Sequence, residues 1–373
     1  MSSFRFASVL VLAVLAAACG AQSPATEDSD TDELSDATVS MEMVRKDPRL
    51  APSVVVPEGR HVNGRGRPLD HEFAVPGHER LGWGASNPAS SWLYDANGLG
   101  QFKDLVDPKM DVDGGKIGTY MRKPGDLFAA DGLLKWDNVA QGYLGDCYFA
   151  ASLSAVLYAD KGGTLTKNLI KPNTVSGKVV SYSATFFQAS GRKVSVEIDI
   201  DLPHKTTSGH VLYMRSTDTK DGYEEWAPSL VEKGYAKWHK SYIAIGNGGT
   251  ASDAIYALTG KYTRSYNVKS ASTVTAIEAA GKASRAQVAC TYGDHDGVKY
   301  DGTGVYSDHC YTLRGVLRKA GKVYVQLRNP WGPGSLTDAE PTEPTPGDGV
   351  PDGFFDLELS VFQTLYASVD ILP

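Results

Sequence analysis

The chain has 373 residues, of which 42% are hydrophobic and 22% charged, enough for one large or two ordinary domains with real cores. Its net charge of -7 is modest, and its basic residues are scattered with no arginine or lysine run interleaved with aromatics. That pattern excludes a nucleic-acid binder and gives no reason to expect an anionic substrate.

In chain order, residues 1–18 read as a secretory signal, with Arg5 ahead of the apolar run Val9 to Leu15 and small Ala16, Ala17 and Ala18 before Cys19. The run is too short to span a bilayer as a mature helix. Leu15-Ala16-Ala17-Ala18-Cys19 resembles a bacterial lipoprotein cleavage site, with the larger aliphatic residue one place further from the cysteine than usual. The resemblance implies a lipid on Cys19 and a membrane-anchored protein of the bacterial cell envelope, with free secretion as the alternative. Residues 19–44 are small, polar and acidic and read as a disordered tether. Residues 45–90, rich in Pro, Gly, Arg and His, read as an irregular extension.

Ordered structure is expected from about residue 91. Asp104, Asp107, Asp111 and Asp113 before Gly114-Gly115 look like a calcium loop, but the spacing does not fit an EF-hand and the terminal glutamate is missing, so a solvated turn is favoured. Gly142 and Gly145 permit tight turns ahead of a buried helix that starts at about Cys147 and runs to Tyr158. Asn168 to Gly177 reads as a connector. Val179 to Gln188 and Lys193 to Asp201 alternate as paired strands, the second ended by Leu202-Pro203, and Val211 to Arg215 is a short strand candidate. Helical spacing follows at Trp226 to His239, at Ala251 to Leu258 with Gly260 as its stop, and at Val274 to Lys282. Ala286 to Tyr292, His309 to Leu317 and Val323 to Leu327 then read as strands. The order is helices first and sheet second, an α+β pattern with a cleft between two lobes.

Of the four cysteines, Cys147 stands at a loop-to-helix boundary, where free N–H groups and the helix dipole lower the cost of a thiolate. Cys290 and Cys310 lie in strand-like segments on either side of a loop. They are equally consistent with a cross-strand disulfide and with two buried thiols. His309 can take the thiol proton and later protonate a leaving amine. Asn329 follows a strand and can accept the other ring N–H, with Pro330 restricting its backbone and Trp331 covering the contact. Gln141 and the Cys147 backbone N–H can bind an oxyanion.

Gln141-Gly142-Tyr143-Leu144-Gly145-Asp146-Cys147, His309-Cys310-Tyr311 and Arg328-Asn329-Pro330-Trp331-Gly332 together resemble the papain-like protease core of the calpain family. The blocks Tyr120-Met121-Arg122-Lys123-Pro124, Glu225 to Lys237, Asp253 to Gly260 and Asp352 to Phe355 extend the likeness over roughly residues 89–370. The resemblance implies a two-lobed papain-like cysteine protease fold over 91–373, with a helical lobe at about 91–235 and an antiparallel sheet lobe at about 240–373. It also implies a cysteine endopeptidase in which Cys147 attacks, His309 moves protons, Asn329 orients it and Gln141 helps bind the oxyanion. Its substrates would be extended or unfolded polypeptides, and the protein is expected to be a monomer. Tyr148 stands where the family usually has Trp, and Asp308 and Cys310 flank a histidine usually set in Gly-His-Ala. Calcium, structural or activating, stays open and is not required by the chemical step. Asp199, Asp201, Glu224, Glu225, Asp294, Asp296 and Asp301 offer oxygens, with ordinary solvated acids as the favoured reading and metal ligands unassigned. The alternatives are transglutaminase-like acyl transfer and an inactive peptide-binding lipoprotein.

Overall fold

Thirteen consecutive residues from Cys147 to Ala159 form helix α1, whose first eleven positions are all buried, so it is apolar on every face and serves as a core element rather than a surface one. It belongs to a computed structural model that describes residues 106–332 and 353–373, except 112–113, 129–131, 162, 218, 221–222 and 302, together with strands β1 (Leu93–Tyr94) and β2 (Gly100–Phe102). At the end of α1 the Asp160 carboxylate turns to the next helix, accepting the N–H groups of Leu165 at 2.6 Å and Thr166 at 3.1 Å. That helix, α2 (Thr164–Leu169), leads into β3 (Ile170–Val175), β4 (Lys178–Phe187) and β5 (Lys193–Ile198).

These strands form a five-stranded sheet in the order β1-β2-β5-β4-β3. Alternate residues of β4 and β5, among them Ala184, Phe186, Val194, Val196 and Ile198, are buried. They face α3 (Ala227–Trp238), where Phe186 stacks on Trp238 with ring centroids 5.4 Å apart. Gly234 brings the two surfaces together, since a Cβ there would lie 2.5 Å from the Ala184 methyl. Helix α4 (Ala251–Thr259) ends at Gly260, whose φ of 69° is the left-handed stop expected of that glycine.

The second sheet has six antiparallel strands, in the order β6-β11-β7-β8-β9-β10. They are β6 (Arg264–Asn267), β7 (Gln287–Thr291), β8 (Cys310–Lys319), β9 (Lys322–Arg328), β10 (Phe354–Glu358) and β11 (Tyr366–Ile371). Strand β7 and the first four residues of β8 are buried on both faces. Val288, Cys290 and Cys310 join the hydrophobic cluster around α1, α3 and α4, while Ala289, Tyr311 and Leu313 join a second cluster with α5 (Ala271–Lys282) and α6 (Leu359–Leu365). Helix α1 is thereby held from two directions. Phe149 stacks on Tyr235 of α3 at 4.0 Å, and Thr312 of β8 donates its hydroxyl to the Ala151 carbonyl at 2.9 Å.

The mixed α+β character is as expected, but helices first and sheet second is not what forms. The five-stranded sheet lies in the lobe expected to be helical, although β4 and β5 themselves were expected as paired strands, and α4, α5 and α6 lie in the lobe expected to be sheet, the first two at segments expected to be helical. The expected connector is instead the end of α2 followed by β3. As the edge strand of its sheet, β3 buries only Ile170 and tolerates Pro172, so it lacks the alternation that would mark it. Leu202 to Lys205, expected to end a strand, pairs with Gly118 to Met121, and Val211 makes only an isolated bridge to His204. Cys290 and Cys310 form a disulfide across β7 and β8.

A further correction concerns the membrane. Among the described residues no helix is long and apolar enough to cross one, α1 having 13 residues against the roughly 20 required. Nothing described supports the signal, lipoprotein and membrane reading, and it is withdrawn. Residues 1–18, Cys19, the 19–44 tether and the 45–90 extension lie outside the described residues.

Candidate active site

The loop before α1 is held on both sides by backbone. Gln141 donates its N–H to the Pro330 carbonyl at 2.7 Å, and Tyr143 donates to the Leu212 carbonyl at 2.9 Å. Gly142 permits this approach, because a Cβ would sit 2.2 Å from the Tyr213 carbonyl oxygen. The loop therefore delivers Cys147 to the first position of α1, fully buried, beside the start of β8. Its sulfur lies 3.9 Å from the Asp308 carbonyl, with the N–H dipole of Cys310 close enough to favour a thiolate. These are the two chain neighbours of His309.

His309 is pinned through its own backbone. Its N–H donates to the Thr291 hydroxyl at 3.0 Å, and its carbonyl accepts the Thr291 N–H at 2.9 Å. The imidazole Nε2 meets Asn329 Oδ1 at 2.9 Å. An amide oxygen only accepts, so Nε2 carries the hydrogen and Nδ1 is left as the basic nitrogen. Trp331 covers the ring at 4.3 Å, and its N–H donates to the same Asn329 oxygen at 3.2 Å. The Asn329 backbone N–H is tied to Gly353 at 2.9 Å.

Gln141 is buried nearby, with its side-chain amide donating to the Leu144 carbonyl. A primary amide has two hydrogens, so one donor remains for another acceptor. Tyr148 fills the place after the cysteine with its hydroxyl on the Ile245 carbonyl at 3.2 Å. Gly249 makes room for it, since a Cβ there would meet the ring at 2.5 Å.

Electrostatics run against the expected cheap thiolate. Burial pushes the Cys147 thiol well above its ordinary value, as do the charges of Asp146 and Asp308, and the N–H groups of Cys310 and Tyr148 only partly oppose this. Burial also lowers His309 to about 4, against the raising effect of its bond to Asn329. The closed site thus holds a neutral thiol and a neutral imidazole. Beneath it lies a group given no role from the sequence. Asp146 and Glu232 of α3 are both fully buried and act on each other, desolvation raising Asp146 to about 7 and Glu232 well above its usual range. Glu232 also accepts the Met214 N–H at 3.1 Å. Its position beside Leu230, Val231 and Tyr235 on the apolar side of α3 was the available signal.

The candidate calcium oxygens are otherwise employed. Buried Lys233 pairs with Asp107 and Asp199, each at 2.6 Å, and Asp201 pairs with Arg122 at 2.8 Å. Glu225 accepts the Ser216 hydroxyl, Asp294 accepts that of Ser307, and Asp296 accepts the Gly293 N–H at 2.8 Å. Asp301 stands in an exposed turn. Among the described residues no three His, Cys, Asp or Glu side chains are placed to hold a metal ion. The solvated turn expected at Asp107 and Asp111 is corrected too. Asp111 is buried, accepting the Tyr213 hydroxyl and the Gly114 N–H, because it anchors a turn onto the core. Asp104, Asp113 and the Glu224 side chain lie outside the described residues.

The model of the calpain family cysteine protease matches residues 118–339, more than half of the chain. The chain belongs to the calpain family. This calpain-family chain is 32% identical to Calpain-B of Drosophila melanogaster over 229 residues, which cover 56% of the chain and 23% of that protein. It is 28% identical to Calpain clp-4 of Caenorhabditis elegans over 226 residues, 57% of the chain and 30% of that protein. It is 30% identical to Calpain-14 of Homo sapiens over 203 residues, 52% of the chain and 28% of that protein. The likeness thus spans less than a third of the length of each of these relatives.

Proposed function

We propose that this calpain-family chain is a cysteine endopeptidase acting on extended or unfolded polypeptides, with Cys147 as nucleophile. The observation that carries the reading is the Trp331-covered hydrogen bond between His309 and Asn329, with the Cys147 sulfur 3.9 Å from the carbonyl of Asp308, the residue before His309. On this reading the region around α1, α3 and the five-stranded sheet forms one lobe of a papain-like fold and the six-stranded sheet the other, with the substrate laid between them.

The resting proton stays on sulfur because burial disfavours both ions. It passes to His309 Nδ1 as sulfur attacks the peptide carbonyl carbon. The charge moves to the carbonyl oxygen, where the Cys147 N–H and the remaining Gln141 hydrogen receive it. The imidazolium then gives its proton to the leaving amine. A thioester remains on Cys147, and water deprotonated by His309 hydrolyses it. Asn329 holds the ring throughout in the orientation that keeps Nδ1 basic.

The test compares wild type with Cys147→Ala on an unfolded protein, with calcium added or chelated, and identifies products by mass. Cleavage is expected from wild type alone, each new pair of ends adding one water. Equal cleavage by both proteins would overturn the assignment, whereas cleavage that survives chelation would remove only a calcium requirement.

A further inference from the structure

Three of the four cysteines meet at one place. Cys290 and Cys310 face each other across β7 and β8 and are joined, and both belong to the same buried cluster as Cys147. Their neighbours Ala289 and Tyr311 belong to the other cluster, so the bridge stands on the face of the sheet that carries α1. Thr312, two residues along β8 on that same face, bonds Ala151, one turn along α1 from Cys147. The bridge therefore packs against the first turn of α1, and the Asp308 carbonyl just ahead of β8 lies 3.9 Å from the Cys147 sulfur.

The surrounding ladder leaves this point in need of a fastener. Strand β8 begins at Cys310, and two residues earlier the chain passes through Asp308 with φ of 49°, a left-handed conformation that a non-glycine residue rarely adopts. On the other side of β7, pairing with β11 slips at Cys290 and Thr291. Thr291 is also the residue to which the His309 backbone is tied. The bridge thus closes the ladder where pairing is irregular and where His309 enters it.

Resting on the peptidase reading above, we propose that the Cys290–Cys310 disulfide is a redox-sensitive positioning element of the active site. It holds the start of β8 against Cys147 and His309 in place to receive the proton. A small dithiol opens it by two exchanges. The dithiol is oxidised to its cyclic disulfide, the sulfur–sulfur bond breaks, and its two protons end on Cys290 and Cys310. The His309 backbone is then held at Thr291 without the bridge beside it, and catalysis slows while the fold persists.

The experiment uses the full chain in three forms: oxidised, treated with a dithiol in native buffer, and Cys290→Ala/Cys310→Ala. Native alkylation with iodoacetamide and peptide mass locates free thiols and gives the rate at Cys147 against pH, independently of peptide cleavage. The dithiol is expected to expose Cys290 and Cys310. In both altered forms kcat should fall by about tenfold to a hundredfold with KM within about twofold, as for a small misplacement of reacting groups. The alkylation profile of Cys147 should move along the pH axis, and the double variant should no longer respond to dithiol. Unchanged kcat and an unchanged Cys147 profile in a form with the bridge open and native circular dichroism would overturn the proposal. So would a bridge that the dithiol opens only when the chain unfolds, and that arm decides the matter if the double variant does not fold. An oxidised wild type that cuts no peptide counts against the peptidase reading instead, and the Cys147 alkylation profile still decides the role of the bridge.

Discussion

His309 is gripped by its backbone at Thr291 and by its ring at Asn329, so two different kinds of bond fix one imidazole. Burial lowers it to about 4, and Asn329 works against that by bonding the ring. Protonation removes the base, so kcat/KM is expected to fall as pH drops through about 4, well below the usual histidine value of 6.5. In Asn329→Ala the raising bond is gone, and the acid limb should move to still lower pH. The buried Nε2 hydrogen then lacks its acceptor, the ring is free to turn, and kcat should drop about tenfold to a hundredfold. A pH–rate profile of both proteins checks this, and an acid limb near 6.5 in wild type would contradict the buried environment.

The turns and helices around the site depend on a few close approaches. Gly142 lies where backbone carbonyls of Leu212 and Tyr213 leave no space for a Cβ, and neither carbonyl is the movable end of a side chain. Gly142→Ala is expected to lower Tm measurably and to cut activity with it, because the loop that delivers Cys147 must retreat; a thermal melt with an activity assay tests it. Helix α3 is tied down by Lys233, whose side chain is 1% exposed and meets Asp107, Asp199 and the Asp201 carbonyl. Lys233→Met would leave the two carboxylates without their shared cation. A loss of about 3 kcal/mol is expected in denaturant unfolding, the scale for breaking a buried pair on one side. A loss within error would show that water replaces the ammonium freely.

Across the whole molecule, two buried sets of groups give opposite dependences of stability on pH. Asp146 is raised from 3.8 to about 7 when folded, so the native state holds a proton that the unfolded chain has released. That contribution is complete below 3.8 and is lost as pH climbs to about 7. His309 is lowered from 6.5 to about 4, so its effect is adverse in acid and fades as pH rises through that same window. Glu232→Gln removes one carboxyl of the pair while keeping a donor to Asp146 and an acceptor for Met214. The difference in Tm between variant and wild type is therefore expected to grow in the variant's favour from about pH 4 to about pH 7, as calorimetry at several pH values would record. A constant difference would mean that the buried Glu232 carboxyl keeps an ordinary titration.

The candidate site was readable before the fold was. A glycine-flanked cysteine at a helix start, a histidine entering a strand and an asparagine before Pro-Trp are local patterns, because the backbone needs of each residue are met by its own neighbours. Helices α1, α3, α4 and α5 were legible for the same reason, each carrying its spacing and stops within its own sequence. Strand β3 was not, since an edge strand with one buried residue has its character decided by its partner. The roles of Asp107, Asp111 and Asp199 were equally hidden, because whether an acid is solvated or pinned depends on a lysine or tyrosine far away in the chain. Between a disulfide and two thiols at Cys290 and Cys310, only the register of β7 on β8 could choose. Reactivity followed the same divide: residue types announced a thiol and an imidazole, but burial, a property of the assembled chain, set the protonation of both.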